Sequence, residues 1–105
     1  MRVIECSEDL LEENAQKLKV CGHPMRLKIL CLIERDSACV TELWQCVGQA
    51  QPVVSQHLAV LREKGIVDSR VEGNKRLYFI TDEAIRGVVR LMLEQRLCES
   101  SPSVC

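Results

Sequence analysis

The sequence predicts a mainly α domain carrying one small β-hairpin, and three observations predict it. Apolar residues recur at helical spacing through successive segments from about Ser7 to Leu97. Two β-rich runs, Ile66 to Glu72 and Arg76 to Thr81, flank a Gly73-Asn74-Lys75 turn. The chain is 47% apolar but only 3% aromatic, which fits a helix-rich core of Leu, Ile and Val rather than a sheet. Its 105 residues make one domain, 1–105, small enough that pairing with a second copy would help it bury surface.

The first helix begins at Ser7 or Glu8, with Ser7 as N-cap. Leu10, Leu11 and Leu18 give it too little apolar surface to stand alone, so it packs on another element or on a partner chain. Cys21-Gly22-His23-Pro24 breaks it, and Pro24 opens a second helix over Met25 to Glu34. There Leu27, Ile29, Leu30, Cys31, Leu32 and Ile33 leave almost no polar face, which makes this helix the core. After Arg35 to Ala38, Val40, Leu43, Trp44 and Val47 fall at i, i+3, i+4 and i+7, a short amphipathic helix ended by Gly48. Trp44 reads as core rather than contact.

Gln49 to Gly65 is a polar turn followed by a second amphipathic helix. Val54, Leu58 and Leu61 form its packing stripe, Pro52 pre-sets φ for its first turn, and Gly65 is a left-handed C-terminal cap. Two helices joined by a short turn with Gly form a helix-turn-helix, and a hairpin directly after the second one is a wing. Thr81 then reads as N-cap of a final helix from Asp82 to Leu97. Its stripe of Ile85, Val88, Val89, Met92 and Leu93 has no intrachain partner left. With the first helix it is the expected homodimer interface, and a two-fold dimer reads a palindromic site. Residues 1–6 and 99–105 are expected to be mobile.

Lys plus Arg number 14 against 15 for Asp plus Glu, a net charge of −1, so the chain as a whole is not basic. The charges are segregated, however. Acids concentrate between Glu5 and Glu13, whereas Arg62, Lys64, Arg70, Lys75 and Arg76 sit on the second helix of the pair and the wing. Candidate DNA contacts are therefore Gln51, Ser55, Gln56, His57, Arg62, Lys75 and Arg76. Gln pairs bidentately with adenine, Ser and His reach base or backbone, and the wing cations meet phosphates or the minor groove. His57 fits equally well as a hydrogen-bonded residue beneath its helix.

No signal-type apolar run occurs at the N-terminus, and no stretch approaches the roughly 20 apolar residues of a membrane span, so a cytoplasmic protein is expected. The seven cysteines, Cys6, Cys21, Cys31, Cys39, Cys46, Cys98 and Cys105, are odd in number and contain no C-x-x-C pair. Neither a disulfide scaffold nor a zinc ribbon is indicated. A thiol enzyme would need an activated thiolate beside a basic partner or helix N-terminus. No C-x-x-C or glycine-rich loop supports one, so neither enzyme activity nor a cofactor is expected. On residue type alone Cys31 is a small buried hydrophobe and Cys46 packs within its helix.

From Leu18 to Leu97 the chain resembles the ArsR/SmtB family of winged-helix regulators. The likeness is carried by Gly22-His23-Pro24-Met25-Arg26-Leu27-Lys28-Ile29-Leu30, by Gln51 through Val67, and by Gly73-Asn74-Lys75-Arg76-Leu77-Tyr78. The resemblance implies a homodimeric repressor that leaves its operator when an inducer binds. The Cys-Val-Cys motif of the arsenic, cadmium and lead type is reduced here to Cys39-Val40-Thr41. The last-helix histidines of the zinc type are missing, since no histidine follows Leu58. Cys31 and Cys98 instead match the two cysteines of the persulfide-responsive SqrR/BigR branch, which implies sensing through a disulfide or polysulfide bridge. The alternative inducer is arsenite or another soft thiophile, held by Cys31 and Cys98 with a third thiolate from Cys39, Cys21, Cys6 or Cys105.

Overall fold

A computed structural model describes residues 7–36 and 40–94. Its elements run α1 (Glu8–Cys21), α2 (Pro24–Asp36), α3 (Val40–Val47), α4 (Gln51–Glu63), β1 (Val67–Glu72), β2 (Lys75–Ile80) and α5 (Glu83–Glu94). The expected mobile ends, 1–6 and 99–105, lie outside the described residues, as does the end of the final helix as far as Leu97.

Local chemistry sets most of the helix ends. The Ser7 hydroxyl accepts from the Leu10 amide at 3.3 Å and caps α1. His23 sits ahead of Pro24 and closes the first turn of α2: its Nδ1 accepts from the Met25 amide at 3.0 Å and its carbonyl from the Leu27 amide at 2.9 Å. Gly48, at φ +77°, ends α3. Beyond α4 the Gly65 amide donates to the Arg62 carbonyl and the Ile66 amide to the Leu61 carbonyl, both at 3.0 Å. That is the Schellman arrangement, with Gly65 at φ +74° and the buried side chains of Leu61 and Ile66 closing it.

The core forms around α2, which touches α1, α3, α4, α5 and β2. Ile29, Leu30, Cys31 and Ile33 are at most 1% exposed. Leu43 and Val47 of α3, Val54, Leu58 and Leu61 of α4, and Ile85 and Val89 of α5 complete it, with Trp44 packed at its margin. The hairpin is antiparallel from Val67↔Ile80 to Glu72↔Lys75. Lys75 therefore pairs as the first residue of β2 and the turn is Gly73-Asn74, with Gly73 at φ +63°. Val67 and Ile80 are buried at the hairpin base, and its tip stands out in solvent.

Two expectations need correction. The cap of α5 is Asp82, whose Oδ1 accepts from the Ile85 amide at 3.0 Å, and not Thr81. Thr81 is diverted because its hydroxyl donates to the Gly65 carbonyl at 3.0 Å, while Lys17 of α1 meets the other Asp82 oxygen at 2.6 Å. The apolar stripe of α5 also has an intrachain partner: Ile85 and Val89 pack inward, where α5 meets α2 and β2. What remains uncovered is a narrower edge with Val88 and Leu91, together with Leu10, Leu11 and Leu18 of α1, each of the three more than half exposed. Among the described residues no helix is long and apolar enough to cross a membrane.

The cap assignment is testable. Asp82→Ala should lower the urea-unfolding free energy by about 1 kcal/mol, and Thr81→Ala by less, because its hydrogen bond is exposed. The reverse order would return the cap to Thr81.

Candidate nucleic-acid interface and sensing cysteines

The alternation that buries Val54, Leu58 and Leu61 turns the other side of α4 to solvent. Gln51, Ser55, Gln56 and Arg62 are all exposed there. Beside them a cavity of about 320 Å³ is lined by Ser55, Leu58, Ala59, Arg62, Glu63 and Tyr78, so the wing root and the helix share one surface. Tyr78, part of the wing motif, was not among the contacts the sequence singled out. Its signal is the strand period that places it on the same face of β2 as Arg76.

The cations at this surface are lightly held. Arg62 Nε lies 3.4 Å from Asp68 Oδ1, with both side chains about half exposed, a pair of little energetic consequence in water. Arg76 Nη1 donates to Ser69 Oγ at 3.0 Å across the hairpin. Lys75 is exposed at the tip, and Arg70 spans Glu72, at 3.1 Å, and the ring of Phe79, 6.0 Å from its centroid.

His57 faces the other way. It is half-buried, its Nδ1 accepts from Arg26 Nε at 3.2 Å, and its ring lies 4.9 Å from that of His23. Burial, then the neighbouring His23 and Arg26, hold its pKa below the usual histidine value. Of the two readings of His57, this is the geometry of a hydrogen-bonded residue beneath the helix.

Cys31 is fully buried in the middle of α2. Three residues on, on the same side of the helix, the Glu34 carboxylate accepts from Arg86 Nε at 3.2 Å through both oxygens and from Arg90 Nε at 2.6 Å. Glu34 is only 10% exposed. Burial alone would raise its pKa, but the two guanidinium groups of α5 outweigh it and hold the carboxyl below its ordinary value. Helices α2 and α5 are thus clamped beside the buried thiol.

Cys6, Cys39, Cys98 and Cys105 lie outside the described residues. Cys21, buried at the end of α1, carries a free thiol that burial, aided by the Asp82 charge and opposed by Arg26, pushes up to about 11. At neutral pH such a group is not the thiolate that soft ions select. Cys46 packs against the core as expected but is also disulfide-bonded, which its helical position alone gave no sign of. Among the described residues no group of three or more His, Cys, Asp or Glu could hold a metal ion.

Comparison with known proteins bears on this geometry. Residues 23–69 match the arsR-family profile of bacterial regulatory proteins. An uncharacterized HTH-type transcriptional regulator of Methanocaldococcus jannaschii is 37% identical over 84 residues, 79% of this chain and 94% of that one. The biofilm growth-associated repressor of Xylella fastidiosa is 40% identical over 78 residues, covering 74% and 68%. The crystal structure of the transcriptional repressor BigR from Xylella fastidiosa superposes with a TM-score of 0.73 at 36% identity, over 83% of this chain and 89% of that one.

The clamp at Glu34 makes a pH-dependent prediction. A carboxyl whose folded pKa is lowered adds stability above its unfolded pKa, about 4.3, and that stability is lost as pH falls through the lower folded value. Glu34→Gln should therefore cost about 1–2 kcal/mol at neutral pH and flatten the acid limb of denaturation midpoints below about pH 4.3. An unchanged acid limb would remove the clamp from the energetics.

Proposed function

The chain belongs to the arsR family of bacterial regulatory proteins, and on that premise we propose a homodimeric repressor that releases its operator when Cys31 and Cys98 react with reactive sulfur species. Its relatives are named as a biofilm growth-associated repressor and a transcriptional repressor. The proposal adds the inducer, the responding residues and the assembly.

The observation that carries it is the placement of buried Cys31 beside the Glu34 clamp. A covalent link between Cys31 and Cys98, four residues past α5 in the sequence, would join chain segments whose helices Glu34 already ties together. Burial of Cys31 favours Cys98 as the entering nucleophile. Its thiolate attacks the outer sulfur of an organic persulfide, RSSH, displacing RSH and leaving Cys98–SSH. The Cys31 thiolate then attacks the Cys98 sulfur and expels HS⁻, closing a disulfide. A second sulfur acquired before closure leaves a trisulfide by the same displacement. Either bridge resets α5 against α2, and with it the spacing of two α4 helices in a dimer.

The dimer is supported by the uncovered apolar residues of α1 and α5, which a second copy would bury. On DNA, Gln51, Ser55, Gln56 and Arg62 enter the major groove from α4, and Lys75 and Arg76 meet backbone from the wing.

Intact-protein mass spectrometry of reduced protein, exposed separately to an organic persulfide and to arsenite with DNA binding followed in parallel, tests the inducer. Bridging sulfur that is lost in Cys31→Ser or Cys98→Ser, with release from DNA, is the expected result. Stoichiometric arsenic retention, with release by arsenite alone, would instead assign a metalloid repressor. For the wing, Arg76→Ala should weaken binding similarly across sequences and reduce the salt slope by about 1. A loss confined to one base position would make Arg76 a base reader.

A further inference from the structure

We propose that Arg26 is a positioning residue for α4, and that Arg26 and His57 form a proton-sensitive lock whose opening in mild acid weakens DNA binding. The inference rests on the reading of α4 as the DNA-reading helix and adds a second input to it.

One side chain of α2 bridges two other helices. The Arg26 guanidinium donates through Nε to His57 Nδ1 of α4 at 3.2 Å and through Nη1 to the Val20 carbonyl, at the end of α1, at 3.4 Å. An imidazole that accepts at Nδ1 is neutral and carries its hydrogen on Nε2. A gained proton can only go to Nδ1, where it turns the acceptor into a donor pointed at a donor and sets a positive charge beside Arg26. The hydrogen bond cannot survive that change.

The surroundings offer no relief. Helix α4 packs on α1, α2, α3 and β1. From α2 come His23 and Arg26, both of which oppose a charge on His57. Among the described residues α1, α3 and β1 present no charged group that acts on this imidazole, and α1 offers a carbonyl already used by Arg26. His23 cannot replace the lost bond with its own Nδ1, which accepts from the Met25 amide at 3.0 Å. Protonation therefore frees the side of α4 opposite its DNA face. A protonated histidine acting only as an added cation would strengthen DNA binding, so the sign of the pH response separates the two mechanisms.

The test uses the full chain and a duplex selected by it from a random pool at about pH 8. Affinity is compared at about pH 8 and pH 5.5, the interval in which histidine titrates, at fixed salt. The wild type should bind more weakly in acid by about twofold or more, the ratio being limited by how far the pKa of His57 is lowered. His57→Asn and His57→Gln, whose side-chain oxygens accept from Arg26 and do not titrate, should bring that affinity ratio close to one, whereas His23→Asn should retain it. Circular dichroism confirms that each variant is folded. Affinity that is unchanged or stronger in acid, or a His57→Asn ratio equal to that of the wild type, overturns the lock. If no duplex is selected, the DNA reading of α4 has failed instead. Imidazole NMR then decides the lock alone: an Nε2–H tautomer of His57 titrating below the ordinary histidine value upholds it, and an Nδ1–H tautomer refutes it.

Discussion

Burial of five consecutive residues, Ile29 to Ile33, none more than 5% exposed, makes α2 the element on which α1, α3, α4, α5 and β2 settle. The magnitudes rank the forces. Truncating one such side chain typically costs about 2–5 kcal/mol, whereas an exposed pair such as Arg62 with Asp68 is worth about 0–1 kcal/mol. Packing on α2 therefore decides the fold. Polar contacts decide how the surrounding helices are set against it.

Those contacts gather at the two ends of α2. At its start, His23 closes the first turn and Arg26 reaches both α1 and α4. Near its end, Glu34 grips Arg86 and Arg90 of α5. The helix that holds Cys31 is consequently tied at one end to α1 and α4 and at the other to α5. A rigid core element with polar couplings at both ends can convert a small shift at one end into a reorientation at the other, because packed interiors have few intermediate arrangements.

Much of this was legible in the sequence. The helical period located α2, α3 and α4, Pro24 and Pro52 marked helix starts, and Gly48 and Gly65 marked helix ends because only a residue without Cβ adopts their positive φ cheaply. The strand runs around Gly73-Asn74 gave the wing. What was not legible depended on distant partners. Thr81 and Asp82 are both good caps by residue type, and the choice falls to Asp82 because Gly65 takes the Thr81 hydroxyl. The inward turn of His57 is set by Arg26, 31 residues away. Ile85, Val89 and Leu93 of the α5 stripe pack on the core, where α5 meets α2 and β2, a place that periodicity could not assign, and Tyr78 joined the α4 surface only through the fold of the hairpin.

Whether a Cys31–Cys98 bridge sets the DNA-binding state, as proposed, is decided by an affinity measurement in which only that bridge changes. A variant retaining only these two cysteines is oxidised, its linkage verified by peptide mapping, and its affinity for a selected duplex measured before and after addition of a reductant. Weak binding while bridged and recovery on reduction are the expected outcome. Equal affinity in the two states, with the bridge confirmed, would contradict it.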